Sequence, residues 1–291
     1  MSKNNTQKGE KIRARIVEVN IKNWRVFSDM ELTFKSPTIL LAPPAGGKTA
    51  FCEAISTCLT GKLTKLLPVS HLSRGKTMAY VKVCVKDLEA YEKCAECIVK
   101  DDIDMRAGEL KASLLYITSS DLSMQVGVEK KIKKMFGKNF DVQLEGVLVD
   151  RLKNGRRKFI PRKYDFVEFL LEKLWNNMSV FLENLNVSNF SPKDMIYFYQ
   201  KAWNGSQTYT ELCNLIEWLS VFYLKKRVER RDIGVILLDQ PFLSLSLSLI
   251  LPLVRRLGET GNLILYLSNG EGCLDLKEVR EVFYITSLSK R

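Results

Sequence analysis

Two short segments carry the residue types that phosphate chemistry needs. The first is Ala42-Pro-Pro-Ala-Gly-Gly-Lys48-Thr49. Backbone N–H groups converge on phosphate oxygens only where the turn is built from small residues. A lysine placed just behind it reaches the β- and γ-phosphates. A threonine hydroxyl ligates Mg²⁺, and the amino terminus of the helix that follows supports negative charge. Ala42, Pro43, Pro44, Ala45, Gly46, Gly47, Lys48, Thr49 and Ala50 are therefore the expected nucleotide cradle. Ala42 occupies the first glycine place of the pattern, a position that requires smallness more than the absence of a Cβ. The second segment, Gly234-Val-Ile-Leu-Leu-Asp239, is an apolar run ending in a carboxylate, as a neighbouring strand must end if it is to support the metal. Thr49 and Asp239 are the expected Mg²⁺ ligands, with ATP as the nucleotide.

These groups need elements to hold them. Thr38–Leu41 is a short apolar run of the buried parallel type, and it enters the small-residue loop. A helix is predicted over Thr49–Leu59, ending near Gly61. Upstream, Ile12–Ile21 alternates polar with apolar residues and reads as a strand; Met30–Phe34 reads as another, stopped by Pro37. Further strands are predicted at Tyr80–Val85, Leu114–Thr118, Gly234–Leu238, Leu263–Leu267 and Val282–Ile285. Helices are predicted at Glu129–Phe136, Asp165–Leu185, Thr208–Arg227 and Leu249–Leu257. Asn154-Gly155 between Val147–Leu152 and Lys158–Ile160 is a hairpin signal, since both turn residues need positive φ. Strands and helices alternating at both ends argue for an α/β protein with a largely parallel sheet.

The motifs resemble, in order and spacing, those of the SMC/RecF branch of ABC-type ATPases over roughly residues 12–60 and 200–287. Ile16-Val-Glu-Val-Asn-Ile-Lys-Asn-Trp-Arg-Val-Phe27 is similar to its opening "I-x-N-F-R-x-F", and Phe51-Cys-Glu-Ala-Ile55 to its "LEAI" helix. Leu237-Leu-Asp-Gln-Pro241 resembles "LLDEP", Leu265-Tyr-Leu-Ser-Asn269 the switch strand, and Trp203-Asn-Gly-Ser-Gln207 the "LSGGQ" signature. The resemblance implies a P-loop NTPase head, a three-layer sandwich with N-terminal antiparallel strands and a helical lobe. It implies an ATP-dependent homodimer, with Asn204, Gly205, Ser206 and Gln207 capping the other head's γ-phosphate in trans. The catalytic positions become Lys48, Gln240 and Asn269. Two of these depart from the family, because Gln240 replaces the carboxylate that polarises water and Asn269 replaces a histidine. An amide orients water but cannot take its proton. Slow hydrolysis, or hydrolysis completed by an activating partner protein, is the expectation.

The chain has 291 residues with 45 basic against 33 acidic side chains, a formal charge of +12. That balance favours a polyanionic partner. Arg151, Lys153, Arg156, Arg157, Lys158, Arg162 and Lys163 flank the Asn154-Gly155 turn without an acid among them and are the expected DNA-backbone contacts. Lysines 130, 131, 133 and 134, and Lys225, Lys226, Arg227, Arg230 and Arg231, form two further basic runs. Trp175, Trp203 and Trp218 fall at helical spacing with aliphatics and read as core. The seven cysteines include one CxxC, Cys94–Cys97, with no second pair; they read as buried or incidental thiols, neither a disulfide scaffold nor a zinc site. No run of ~18 apolar residues spans a membrane, and the polar start is unlike a secretory signal. The organisation expected is a basic tail at 1–11, then a single head over 12–291 with a helical and basic-hairpin insert at about 65–200. The expected function is an ATP-controlled switch on DNA in the cytoplasm, bound at the nucleoid; a non-hydrolysing nucleotide-binding scaffold and an ABC transporter subunit are the alternatives.

Overall fold

The computed structural model describes residues 15–63, 72–86, 92–100, 103–106, 110–124, 128–136, 201–202, 204–231, 233–244, 262–268 and 282–284. Two sheets lie on either side of one helix. Strands β1 (Arg15–Trp24), β2 (Phe27–Ser36), β4 (Ala79–Lys86), β5 (Glu92–Val99) and β6 (Ile103–Arg106) form an antiparallel sheet in the order β2-β1-β4-β5-β6. Strands β3 (Thr38–Leu41), β7 (Ala112–Thr118), β8 (Ile233–Asp239), β9 (Asn262–Ser268) and β10 (Val282–Tyr284) form a parallel sheet in the order β10-β3-β9-β8-β7. Helix α1 (Lys48–Thr60) packs against strands of both sheets. Helices α2 (Ser119–Ser123) and α3 (Val128–Phe136) pack on α4 (Gln207–Val228), which packs on β7.

The burial pattern follows from this layering. In β1, Val17, Val19 and Ile21 are buried while the residues between them are partly exposed, as expected of a strand with one covered face. In β8 every residue is buried, because α1 covers one face and α4 approaches the other. The main apolar core joins Val17, Val19, Phe27, Phe51, Ala54, Ile55, Val83, Val235, Leu237 and Leu265 across both sheets and α1. Burying a side chain of Phe or Leu size contributes roughly 1.5–3 kcal/mol, so this three-way junction is the principal anchor of the loop preceding α1.

Several expectations change here. Neither β5 nor β6 is among the expected strands: β5 carries no clean alternation, and β6 alternates over only four residues, Ile103-Asp-Met-Arg106. Residues 79–118, inside the stretch expected as an insert, supply β4–β7 to both sheets. Cys84 and Cys94 form a disulfide, correcting the reading of incidental thiols. They stand directly opposite in the β4/β5 register, whereas Cys97, three residues from Cys94, falls on the other face of the strand and is buried. Trp218 is in the core as expected. Lys131 is not a solvent-facing phosphate contact: it is fully buried, 2.5 Å from Glu217, and also donates to Asn214. Lys134 is exposed but paired with Asp121. The basic hairpin at 151–163 and the helices predicted at 165–185 and 249–257 lie outside the described residues, as do Asn269, Trp175 and Trp203.

Candidate nucleotide site

The loop between β3 and α1 is shaped by its composition. Gly46 donates its N–H to Pro43 O at 2.9 Å, so the backbone doubles back on itself. A Cβ on Gly46 would lie 2.8 Å from that same carbonyl oxygen, which is why glycine stands there. Gly47, the N-cap of α1, has φ +87°, and Ala45 has φ +60°. The helix begins with no side-chain cap and no acid in its first turn. Its opening N–H groups, which no helix can satisfy internally, therefore face the loop with no acid of the helix's own first turn to compensate their positive end, an arrangement suited to an anion.

Lys48 lies inside this curl. Its Nζ donates to Ala42 O at 2.9 Å and to Pro43 O at 2.8 Å, which fixes the ammonium at the mouth of the loop. Burial lowers its pKa, and the nearby Asp239 carboxylate acts in the opposite direction. Ala42 is itself tied to the parallel sheet, its N–H donating to Ser268 O at the end of β9.

Thr49 and Asp239 meet, though 190 residues separate them. The Thr49 hydroxyl donates to Asp239 Oδ2 at 2.6 Å. The carboxylate arrives there because β8 is parallel to β9 and β9 to β3, so the carboxyl ends of all three strands lie on one edge of the sheet, beside α1. A hydroxyl and a carboxylate converging beside a helix amino terminus form a hard-oxygen set suited to Mg²⁺, which takes few protein ligands and completes its shell with phosphate and water. Gln240 follows directly, at φ +45°, with its N–H donating to Leu267 O at 3.1 Å. Asn204, Gly205, Ser206 and Gln207 form the turn opening α4, with Gly205 at φ +88° and exposed.

Three groups that sequence reading did not single out belong to this neighbourhood. Tyr116 on β7 donates its hydroxyl to Asp239 Oδ2 at 3.3 Å, and burial raises its pKa far above the ordinary phenol value. Strand alternation on the neighbour of β8 was the available signal. Glu53 on α1 pairs with Arg25 at 2.7 Å; burial, the larger cause, raises the Glu53 pKa against the opposing effect of Arg25. Arg25 sits in the β1–β2 turn at φ +46°, with Trp24 and Phe27 fully buried on either side and Phe27 edge-on to Phe51 of α1 at 6.4 Å. The opening motif thus works as a clamp of the antiparallel sheet on the helix that follows the loop. Glu211, the third group, joins the turn at 204–207 to the segment after Asp239.

No protein-family model matches the chain, and no curated protein matches its sequence. Solved structures do. The chain is similar to the recombination mediator protein RecF of the RecFOR pathway in its RecF-ATP structure, at 16% identity and TM-score 0.52 over 90% of this chain and 94% of that one. A RecF-ATPrS structure matches at 16% identity and TM-score 0.56, over 95% and 98%. The fold is that of these RecF structures, α/β with one antiparallel and one parallel sheet. An SMC head domain from Thermotoga maritima is similar more loosely, at 10% identity and TM-score 0.44 over 94% and 95%.

Proposed function

We propose that the protein is an ATP-binding head that acts as a switch in DNA maintenance, with Mg·ATP held by the loop at 42–50, by Lys48 and Thr49, and by Asp239. The observation that carries this reading is the meeting of the Thr49 hydroxyl with the Asp239 carboxylate at the uncapped amino terminus of α1. Backbone N–H groups of the loop and first turn hold phosphate oxygens, and Lys48 moves its ammonium from two loop carbonyls to the β- and γ-phosphates. Mg²⁺, when bound, neutralises phosphate charge between Thr49 and Asp239. The solved structures with this fold include RecF-ATP, a recombination mediator protein of the RecFOR pathway.

Two heads pair across the nucleotide in this reading, each presenting Asn204, Gly205, Ser206 and Gln207 to the other's γ-phosphate. The +12 charge and the run Arg151, Lys153, Arg156, Arg157, Lys158, Arg162 and Lys163 supply contacts to the DNA backbone without reading base sequence. Among the described residues no helix is long and apolar enough to cross a membrane, in keeping with a head that works in the cytoplasm at the nucleoid. Gln240 orients water but cannot accept its proton, so hydrolysis is slow until an activating protein completes the site.

Light scattering with and without Mg·ATP tests the reading. The mass per particle is expected to double with ATP, and Gly205→Arg to block doubling while ATP still binds. A wild type that stays monomeric with saturating ATP would refute the switch and leave a nucleotide-binding scaffold.

A further inference from the structure

Glu211 is fully buried in the second turn of α4, and among the described residues no cation pairs with it. Its carboxylate accepts four hydrogen bonds. Oε1 takes Gln207 Nε2 at 3.0 Å and the Leu243 N–H at 3.0 Å. Oε2 takes the Ser244 N–H at 3.2 Å and the Ser244 hydroxyl at 2.7 Å. A buried ionised carboxylate is costly unless such charge-assisted bonds surround it, so the four donors and the carboxylate hold one another in a single arrangement. One side of that arrangement is the turn proposed to touch a second head's nucleotide. The other is the stretch leaving Gln240, whose own N–H is pinned to Leu267 O at 3.1 Å. Segment 240–244 is thus fixed at one end by β9 and at the other by Glu211.

Both sides face outward. Asn204, Gly205 and Gln207 are exposed, and nothing lies within 4 Å of where a Gly205 Cβ would be. Leu243 is 69% exposed, an apolar side chain held beside the turn by its own N–H.

We infer that Glu211 is a positioning residue that couples the turn at 204–207 to Gln240, so that contact with a second head's nucleotide sets the placement of the water-orienting amide in the first. This rests on the pairing proposed above. The occupant of the surface formed by Gly205, Gln207 and Leu243 is a second copy of this chain, and Glu211 ties the two nucleotide sites of that pair together.

Glu211→Gln preserves shape but turns an amide NH₂ toward one set of donors whichever way it is placed, either Gln207 and Leu243 or Ser244. Three readouts separate positioning from a merely structural role: the melting temperature, the affinity for a fluorescent ATP analogue, and pairing followed by sedimentation with Mg·ATP. Amide exchange at Leu243 and Ser244 is read alongside. The variant is expected to bind the analogue within twofold of wild type, to pair at least tenfold more weakly, and to exchange both amides at least tenfold faster. Ser244→Ala, which removes one hydroxyl at the surface, moves pairing in the same direction by about threefold and decides the matter should Glu211→Gln not fold. Wild-type pairing in either folded variant overturns the inference. Equal loss of ATP binding and pairing in both also overturns it, since that is the behaviour of a structural residue. Failure of the wild type itself to pair is the failure of the proposed switch and takes this inference with it.

Discussion

Gly234, the second residue of β8, lies where α4 and β9 crowd the strand. A Cβ there would come 2.2 Å from Asn262 Oδ1 and 2.7 Å from Phe222 Cζ. Neither neighbour yields cheaply. Phe222 is fully buried, and Asn262 is held by its Nδ2 donating to the Tyr223 hydroxyl at 2.9 Å and by Lys226 Nζ donating to its Oδ1 at 3.2 Å. Gly234→Ala therefore overpacks the α4–β8 contact, at about 1–3 kcal/mol, and displaces the Asn262 amide, at about 0.5–1.5 kcal/mol for each hydrogen bond lost. A total near 2–4 kcal/mol corresponds to a fall in melting temperature of about 4–16 °C, at roughly 2–4 °C per kcal/mol for a domain of ~150–250 residues. Circular dichroism during heating measures it. Asn262→Ala makes room for the new methyl, so in the double variant the added cost of Gly234→Ala is expected to fall by about half, a coupling of the size neighbours in contact show. If Gly234→Ala melts with wild type, or the double variant is simply additive, the crowding argument is wrong.

Gly46→Ala is expected to leave the melt nearly unchanged but weaken ATP-analogue binding at least tenfold, because the Cβ forces Pro43 O out of the curl that shapes the cradle; fluorescence titration checks this. Glu217→Ala strands the buried Lys131 ammonium and is expected to cost about 3–5 kcal/mol in urea unfolding. Glu53 has a folded pKa raised above 4.5, mainly by burial, so the stability linked to its protonated form is complete below the unfolded value and is lost as pH rises through the folded value. Melts of Glu53→Gln across that window should gain on wild type as pH rises, and a difference independent of pH would contradict the assignment.

The elements around the site were legible because each obeys a local rule. Thr38–Leu41 is a short apolar run, the helix is opened by Gly47 and closed by Gly61, and β8 is apolar throughout up to its terminal Asp239. The ordered motifs pointed to Lys48, Thr49 and Asp239, and the fold brings all three to one edge of the parallel sheet. Residues whose meaning is set by a partner far along the chain were not legible. Lys131 read as one more solvated lysine until Glu217, Asn214 and Trp218 of α4 closed over it. Cys84 and Cys94 acquire their relation only from the β4/β5 register. Glu211 carries no motif at all, since its role comes from backbone N–H groups at 243 and 244 that composition does not display.

Calorimetric titration of Mg·ATP into the wild type, Lys48→Ala and Asp239→Asn tests the central claim most directly. Saturation at one nucleotide per chain in the wild type is predicted, with no measurable binding to folded Lys48→Ala. Asp239→Asn is predicted to retain binding without Mg²⁺ but to lose the strengthening that Mg²⁺ confers. Undiminished affinity in folded Lys48→Ala, or the same Mg²⁺ dependence in Asp239→Asn as in wild type, would contradict the account.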